Sequence, residues 1–143
     1  MAKTYEADFY SWALDQADAL KRRSPNELDW ENLAEELATL GRSEANQLHS
    51  RFVVLLLHLL KWRYQPTLRG ASWKNSIDNQ RFAVARLLRR NPGLKSLEAE
   101  EFADAYVMAR RDAANETGLA IETFPEQPPF TPDEARDEAW WPD

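Results

Sequence analysis

The 143 residues contain no cysteine, which excludes disulfides, thiolate metal sites and a cysteine nucleophile, and fits a reducing cytoplasm. Glycine is scarce, with four in all, and none belongs to a glycine-rich phosphate loop or to a Gly-x-Ser-x-Gly elbow. There are two histidines, His49 and His58, and neither follows an acid at the Glu-x-x-His spacing that a di-metal carboxylate bundle needs. The longest apolar run, at residues 52–60, is too short to cross a bilayer. The opening MAKTYEADFY is acidic and aromatic where a signal peptide would be basic and then apolar. These absences lead to the expectation of a soluble cytoplasmic protein with no membrane partner, no assigned catalytic residue, no metal and no cofactor.

What is present is helical punctuation and periodicity. Every residue of 52–60 except His58 is apolar, so at 100° per residue the apolar side chains surround the helix, as they do in one buried by its neighbours. Gln47, Arg51, Val54, His58, Lys61 and Gln65 alternate spacings of four and three, which places a polar seam on that rod. Either the seam is the narrow side of the rod that meets water, or it lines a cleft in which His58, the one histidine on the seam and so its natural proton carrier near neutral pH, marks a ligand site.

Around this rod the spacing predicts a first helix over 5–23, with Phe9, Trp12, Ala13, Gln16 and Leu20 on one stripe. A second helix is expected to end at Gly41, burying Trp30, Leu33, Leu37 and Leu40, and Asp29 is a candidate cap for it. The rod itself starts near Arg42 and stops before Pro66. A fourth helix capped by Ser72 buries Trp73, Ile77, Val84, Leu87 and Leu88, with Arg81 at the stripe's border. A fifth capped by Ser96 carries a small-residue face of Ala99, Phe102, Ala103, Tyr106, Ala109 and Ala113. Arg110 falls inside that face and is expected to find Glu35 or Glu36. Five of the eight prolines lie after Thr117; this segment reads as an ordered strap pinned by Phe124 and Phe130, with a short capped helix at Thr131-Pro132-Asp133-Glu134.

The net charge of −6 is unevenly spread. Residues 42–95 hold eleven Lys and Arg against two acids, whereas the rest holds seven bases against twenty-two acids. Two arrangements account for this: acidic helices packed beside a basic hairpin, or a basic patch facing outward toward nucleic acid or an acidic partner. Lys61-Trp62-Arg63-Tyr64, Arg69 and Trp73-Lys74 interleave cations and rings in a way that suits single-stranded nucleic acid, although Trp62 and Trp73 also fall on the apolar stripes.

The chain also resembles a bacterial family catalogued as domain of unknown function twenty-nine. The likeness rests on Asp8-Phe9-Tyr10, Trp12, Gln16-Ala17, Leu28-Asp29, Asn32-Leu33 and Glu35-Glu36. It continues through His58-Leu59-Leu60-Lys61-Trp62, Gln65-Pro66, Ser72-Trp73, Ile77, Gln80-Arg81, Pro92, Tyr106, Glu116-Thr117-Gly118 and Phe124-Pro125. The resemblance covers essentially the whole chain and implies an all-helical bundle, with no activity, cofactor or catalytic residue attached. It singles out Glu35, Glu36, His58, Lys61, Gln65, Arg69 and Arg81, which are expected to converge as a polar cluster that fixes register or binds a ligand.

The resulting expectation is one all-α domain over 1–143. It comprises a five-helix up-and-down bundle over 1–117 and a proline-rich strap over 118–143 bearing a short sixth helix. The preferred function is a non-enzymatic protein-interaction module, possible as a homodimer, with Phe130, Trp140 and Trp141 as the candidate interface. Nucleic-acid binding through residues 61–90 is the alternative, and a small-molecule or metal-dependent enzyme centred on His58 is the third reading.

Overall fold

Helix-forming residues dominate the chain between its prolines, and the computed structural model, which describes residues 4–143, is all-α. Five helices occur among the described residues: α1 (Phe9–Lys21), α2 (Trp30–Tyr64), α3 (Ala71–Arg90), α4 (Glu98–Thr117) and the short α5 (Pro132–Arg136). Tight 3-10 turns at Pro25–Glu27, Pro66–Leu68 and Pro92–Leu97 open on the prolines that cannot continue a helix. Gly118, at φ 76°, supplies the left-handed residue that ends α4. Thr131 and Glu134 form the reciprocal capping box expected at α5.

The expected break at Gly41 does not exist. The second and third helices of the sequence reading are one 35-residue helix, α2. An internal glycine costs about 1 kcal/mol relative to alanine, and strong helix formers on both sides, Ala38, Leu40, Arg42, Glu44 and Ala45, carry the helix through it. The caps also differ from expectation in two places. Gly70 precedes α3 in place of Ser72, and Leu97 precedes α4 while the Ser96 hydroxyl donates to the Gly93 carbonyl.

The chain forms two compact units, one ending at Arg42 and the other Ser43–Asp143. In the second, the core joins Leu48, Phe52, Leu55, Leu56, Leu59 and Leu60 of α2 to Ile77, Val84 and Leu88 of α3 and to Phe102, Tyr106 and Ala109 of α4. Ala105 is buried on α4 where Ala103 was expected, and Ala103 is exposed. The strap lies on this core through Phe124, Phe130 and Ala135, all buried. In the N-terminal unit the buried side chains are Trp12, Gln16 and Ala19 of α1.

Candidate functional site

The N-terminal unit is held by polar contacts more than by a core. The Gln16 amide bridges the loop, donating to the Glu27 carbonyl and accepting from the Asp29 N–H. Asp29 caps α2 by accepting from the Asn32 backbone and side chain, and it also accepts from the Trp12 indole at 3.0 Å. These donors hold its carboxyl below the usual carboxylate range, Asn32 first among them. Arg22 grips Glu27 with both terminal nitrogens, and Ser24 donates to the same carboxylate, which sits at a pKa of about 2.

The apolar stripes that the sequence reading expected to face inward in this unit do so only in part: Trp12 and Gln16 of α1 are buried and Leu33 of α2 is half-buried. Trp30, Leu37 and Leu40 on α2 are 64%, 67% and 64% exposed. On α1, Phe9, Tyr10, Leu14 and Leu20 are exposed as well. Periodicity identifies a face of like side chains; it carries no information about what covers that face. Seven of the twelve large exposed apolar side chains among the described residues belong to the unit ending at Arg42.

Of the predicted polar cluster, the structure brings some members together and assigns others elsewhere. Glu35 pairs with Arg42, and Glu36 accepts from the Tyr5 hydroxyl, whose pKa is raised by that bond. Both acids thus have their partners in the N-terminal unit. Arg110 meets neither of them; its Nε–H donates to the Phe124 carbonyl at 3.0 Å, so the strap's backbone takes the place of the expected carboxylate.

In the second unit, His58 Nδ1–H donates to the Val54 carbonyl at 2.8 Å, one turn back on its own helix. Lys61 pairs with Glu116 of α4 at 3.0 Å. Gln65 is half-buried at the end of α2, where its backbone N–H returns to the Lys61 carbonyl. Arg69 and Arg81 do converge, on the chain's own C-terminal segment. Arg81, 1% exposed, donates Nε–H to the Ala135 carbonyl and Nη2–H to the Trp140 carbonyl, each at 2.7 Å. Burial lowers its pKa from the ordinary guanidinium value, opposed by the charges of Asp137, Asp78 and Glu138. Arg69 donates to the Trp62 carbonyl and to that of Pro142.

Trp141 lies between these groups, with its ring centroid 4.6 Å from that of Trp62 and the Arg81 guanidinium 5.1 Å from the Trp141 centroid. Trp140 packs edge to face on Phe130. Of the three candidate interface residues, Phe130 is therefore core, and Trp140 and Trp141 are half-buried against their own chain. Two of the residues that the sequence pattern marked, Arg69 and Arg81, thus hold the C-terminal segment in this unit.

The basic block leaves a different set of cations without partners. Between α2 and α3 lies a cleft of about 420 Å³ lined by Gln47, Arg51, Phe82, Arg86 and Arg90, with Glu44 on its wall. Arg51, Arg86 and Arg90 form no ion pair or hydrogen bond among the described residues, and Phe82 is 63% exposed. Sequence reasoning placed Arg51 on the seam and set Arg86 and Arg90 off the buried stripe of α3, but missed Phe82. The signal that could have found it is the four-residue spacing of positions 82, 86 and 90. No group of three or more His, Asp or Glu side chains that could hold a metal ion occurs among the described residues, and no helix among them is long and apolar enough to cross a membrane.

Comparison with protein families finds one whose model, described as a domain of unknown function, DUF29, matches residues 4–141. No curated protein and no solved structure matches the chain.

Proposed function

Because the chain belongs to this DUF29 family, which brings no activity with it, we propose from its own surface that it is a non-enzymatic interaction module that pairs with a second copy of itself. The observation that carries this reading is the exposed apolar face of the N-terminal unit, Tyr10 and Leu14 on α1 with Trp30, Leu37 and Leu40 on α2. A unit of this size with so few buried side chains has little core of its own, and so many large apolar side chains left exposed on two helices suit a contact site. Two such helical pairs related by a two-fold axis complete a four-helix arrangement in which the same patch serves both partners.

The magnitude is adequate. Each of these side chains is already partly covered, so removing the remainder from water contributes about 1 kcal/mol. Five from each copy give a gross gain on the order of 10 kcal/mol, against an association cost of roughly 4–15 kcal/mol. At the lower end of that cost, a dimer with a Kd of roughly tens of micromolar is the expected balance.

The absence of native cysteine makes a direct test simple. A single Leu37→Cys variant under mild oxidation is expected to form a covalent dimer, and a control Glu122→Cys in the strap, also exposed, is expected to remain monomeric. Equal cross-linking of the two, or none of either, contradicts the proposal.

A further inference from the structure

We infer that the cleft between α2 and α3 is a binding site for an organic polyphosphate of nucleotide size. Arg51 enters it from α2, and Arg86 and Arg90 enter from α3. Several other cations of the basic block are engaged, Lys61 with Glu116, Lys74 with Asp78, and Arg69 and Arg81 with carbonyls of the C-terminal segment, while Arg89 and Lys95, outside the cleft, form no ion pair among the described residues. The three arginines of the cleft have no such partners among the described residues. The one acid on the wall, Glu44, forms no ion pair with them, so the site carries net positive charge.

Helix electrostatics explain only part of this. Arg90, in the last turn of α3, suits the negative end of the helix dipole. Arg86 lies a turn earlier, and Arg51 is well inside α2. Arg86 and Arg90, four apart on one helix, repel each other unless an anion sits between them. Guanidinium groups bind phosphate oxygens through paired N–H donors, and three of them around one small cleft suit the dense charge of a di- or triphosphate better than the spaced charges of a strand.

The cleft also has a place for the body of such a ligand. Phe82 presents its ring one turn before Arg86 on the same wall, a flat face on which a base can stack. A second cleft, of about 370 Å³, shares Gln47 and Arg51 with the first and includes Gln80. The Gln80 Oε1 is buried and has no hydrogen-bond partner among the described residues. The main cleft lies within the range of about 300–1,000 Å³ typical of small-ligand sites.

Isothermal titration of the full chain at low salt, with ATP, inorganic pyrophosphate and an oligothymidylate and no added metal, tests this. ATP is expected to bind one per chain, and Arg51→Gln with Arg86→Gln, both at exposed positions, to weaken it at least tenfold while leaving the circular dichroism unchanged. Phe82→Ala is expected to weaken ATP several-fold and leave pyrophosphate unaffected, which separates stacking from charge. The inference is overturned by any of three results: no saturable ATP binding up to millimolar concentration, equal affinity in the double arginine variant, or an oligothymidylate that binds more tightly than ATP.

Discussion

Arg81 shows how one buried cation holds the C-terminal segment without a salt bridge among the described residues. Two of its N–H groups meet the Ala135 and Trp140 carbonyls, and its plane covers Trp141. Its Nη1 has no hydrogen-bond partner among the described residues, so its contribution is smaller than a fully satisfied guanidinium would give. Replacing it with methionine keeps volume but leaves two carbonyls without donors, and Arg81→Met is expected to lower stability by roughly 2–3 kcal/mol. Urea unfolding measures this.

Tyr106 offers a pH reading of the same core. Burial is the main cause that pushes its hydroxyl up to about 12, with the Tyr64 charge adding to it and Arg110 and Arg63 opposing, while the hydroxyl donates to the Pro125 carbonyl at 2.5 Å. Unfolded tyrosine ionises near pH 10. Between those values the unfolded chain has lost a proton that the folded chain keeps, so stability is complete below about pH 10 and falls as pH rises toward 12. Tyr106→Phe should flatten that part of a stability–pH curve measured by urea midpoints, and an unchanged slope would contradict the assignment.

Element by element, what the sequence made legible was type and approximate position; what it hid was continuity and cover. Prolines at 25, 66 and 92 and the Gly118 cap marked their boundaries because they act through local backbone geometry. Gly41 misled because a glycine ends a helix only where the chain adopts a left-handed residue, and this one has no positive φ. The candidate site was legible in part: periodicity placed Lys61 on a seam that meets either water or a cleft and Arg81 at the border of a buried stripe, but what each one meets is a long-range fact. Residue spacing could not reveal that the C-terminal carbonyls, and no carboxylate, receive Arg81 and Arg110.

Continuity of α2 carries its own prediction. An added Cβ at Gly41 would meet no atom within 4 Å, and alanine is the better helix former, so Gly41→Ala should raise stability by about 0.5–1 kcal/mol. Thermal unfolding checks this, and a loss of stability would restore the break that the sequence suggested. The helix α5 provides a complementary case, since Thr131→Ala removes the side-chain acceptor of the Glu134 N–H. It should cost about 1 kcal/mol, read by the same unfolding curves.

For the whole molecule, two surfaces of opposite character follow from the same chain. The unit ending at Arg42 presents apolar side chains, and Ser43–Asp143 presents a cleft of unpaired arginines on a well-packed core. Their independence is testable: Leu37→Lys with Leu40→Lys should abolish self-association without altering polyphosphate affinity, and Arg51→Gln with Arg86→Gln should do the reverse.

The central claim is that the exposed stripe of the N-terminal unit is a self-complementary contact. Sedimentation equilibrium of the unmodified chain across micromolar concentrations tests it most directly. The account predicts a mass rising with concentration from 16.6 kDa toward twice that value, and a constant 16.6 kDa for the Leu37→Lys, Leu40→Lys variant. An unmodified chain that stays at the monomer mass up to a few hundred micromolar would contradict it.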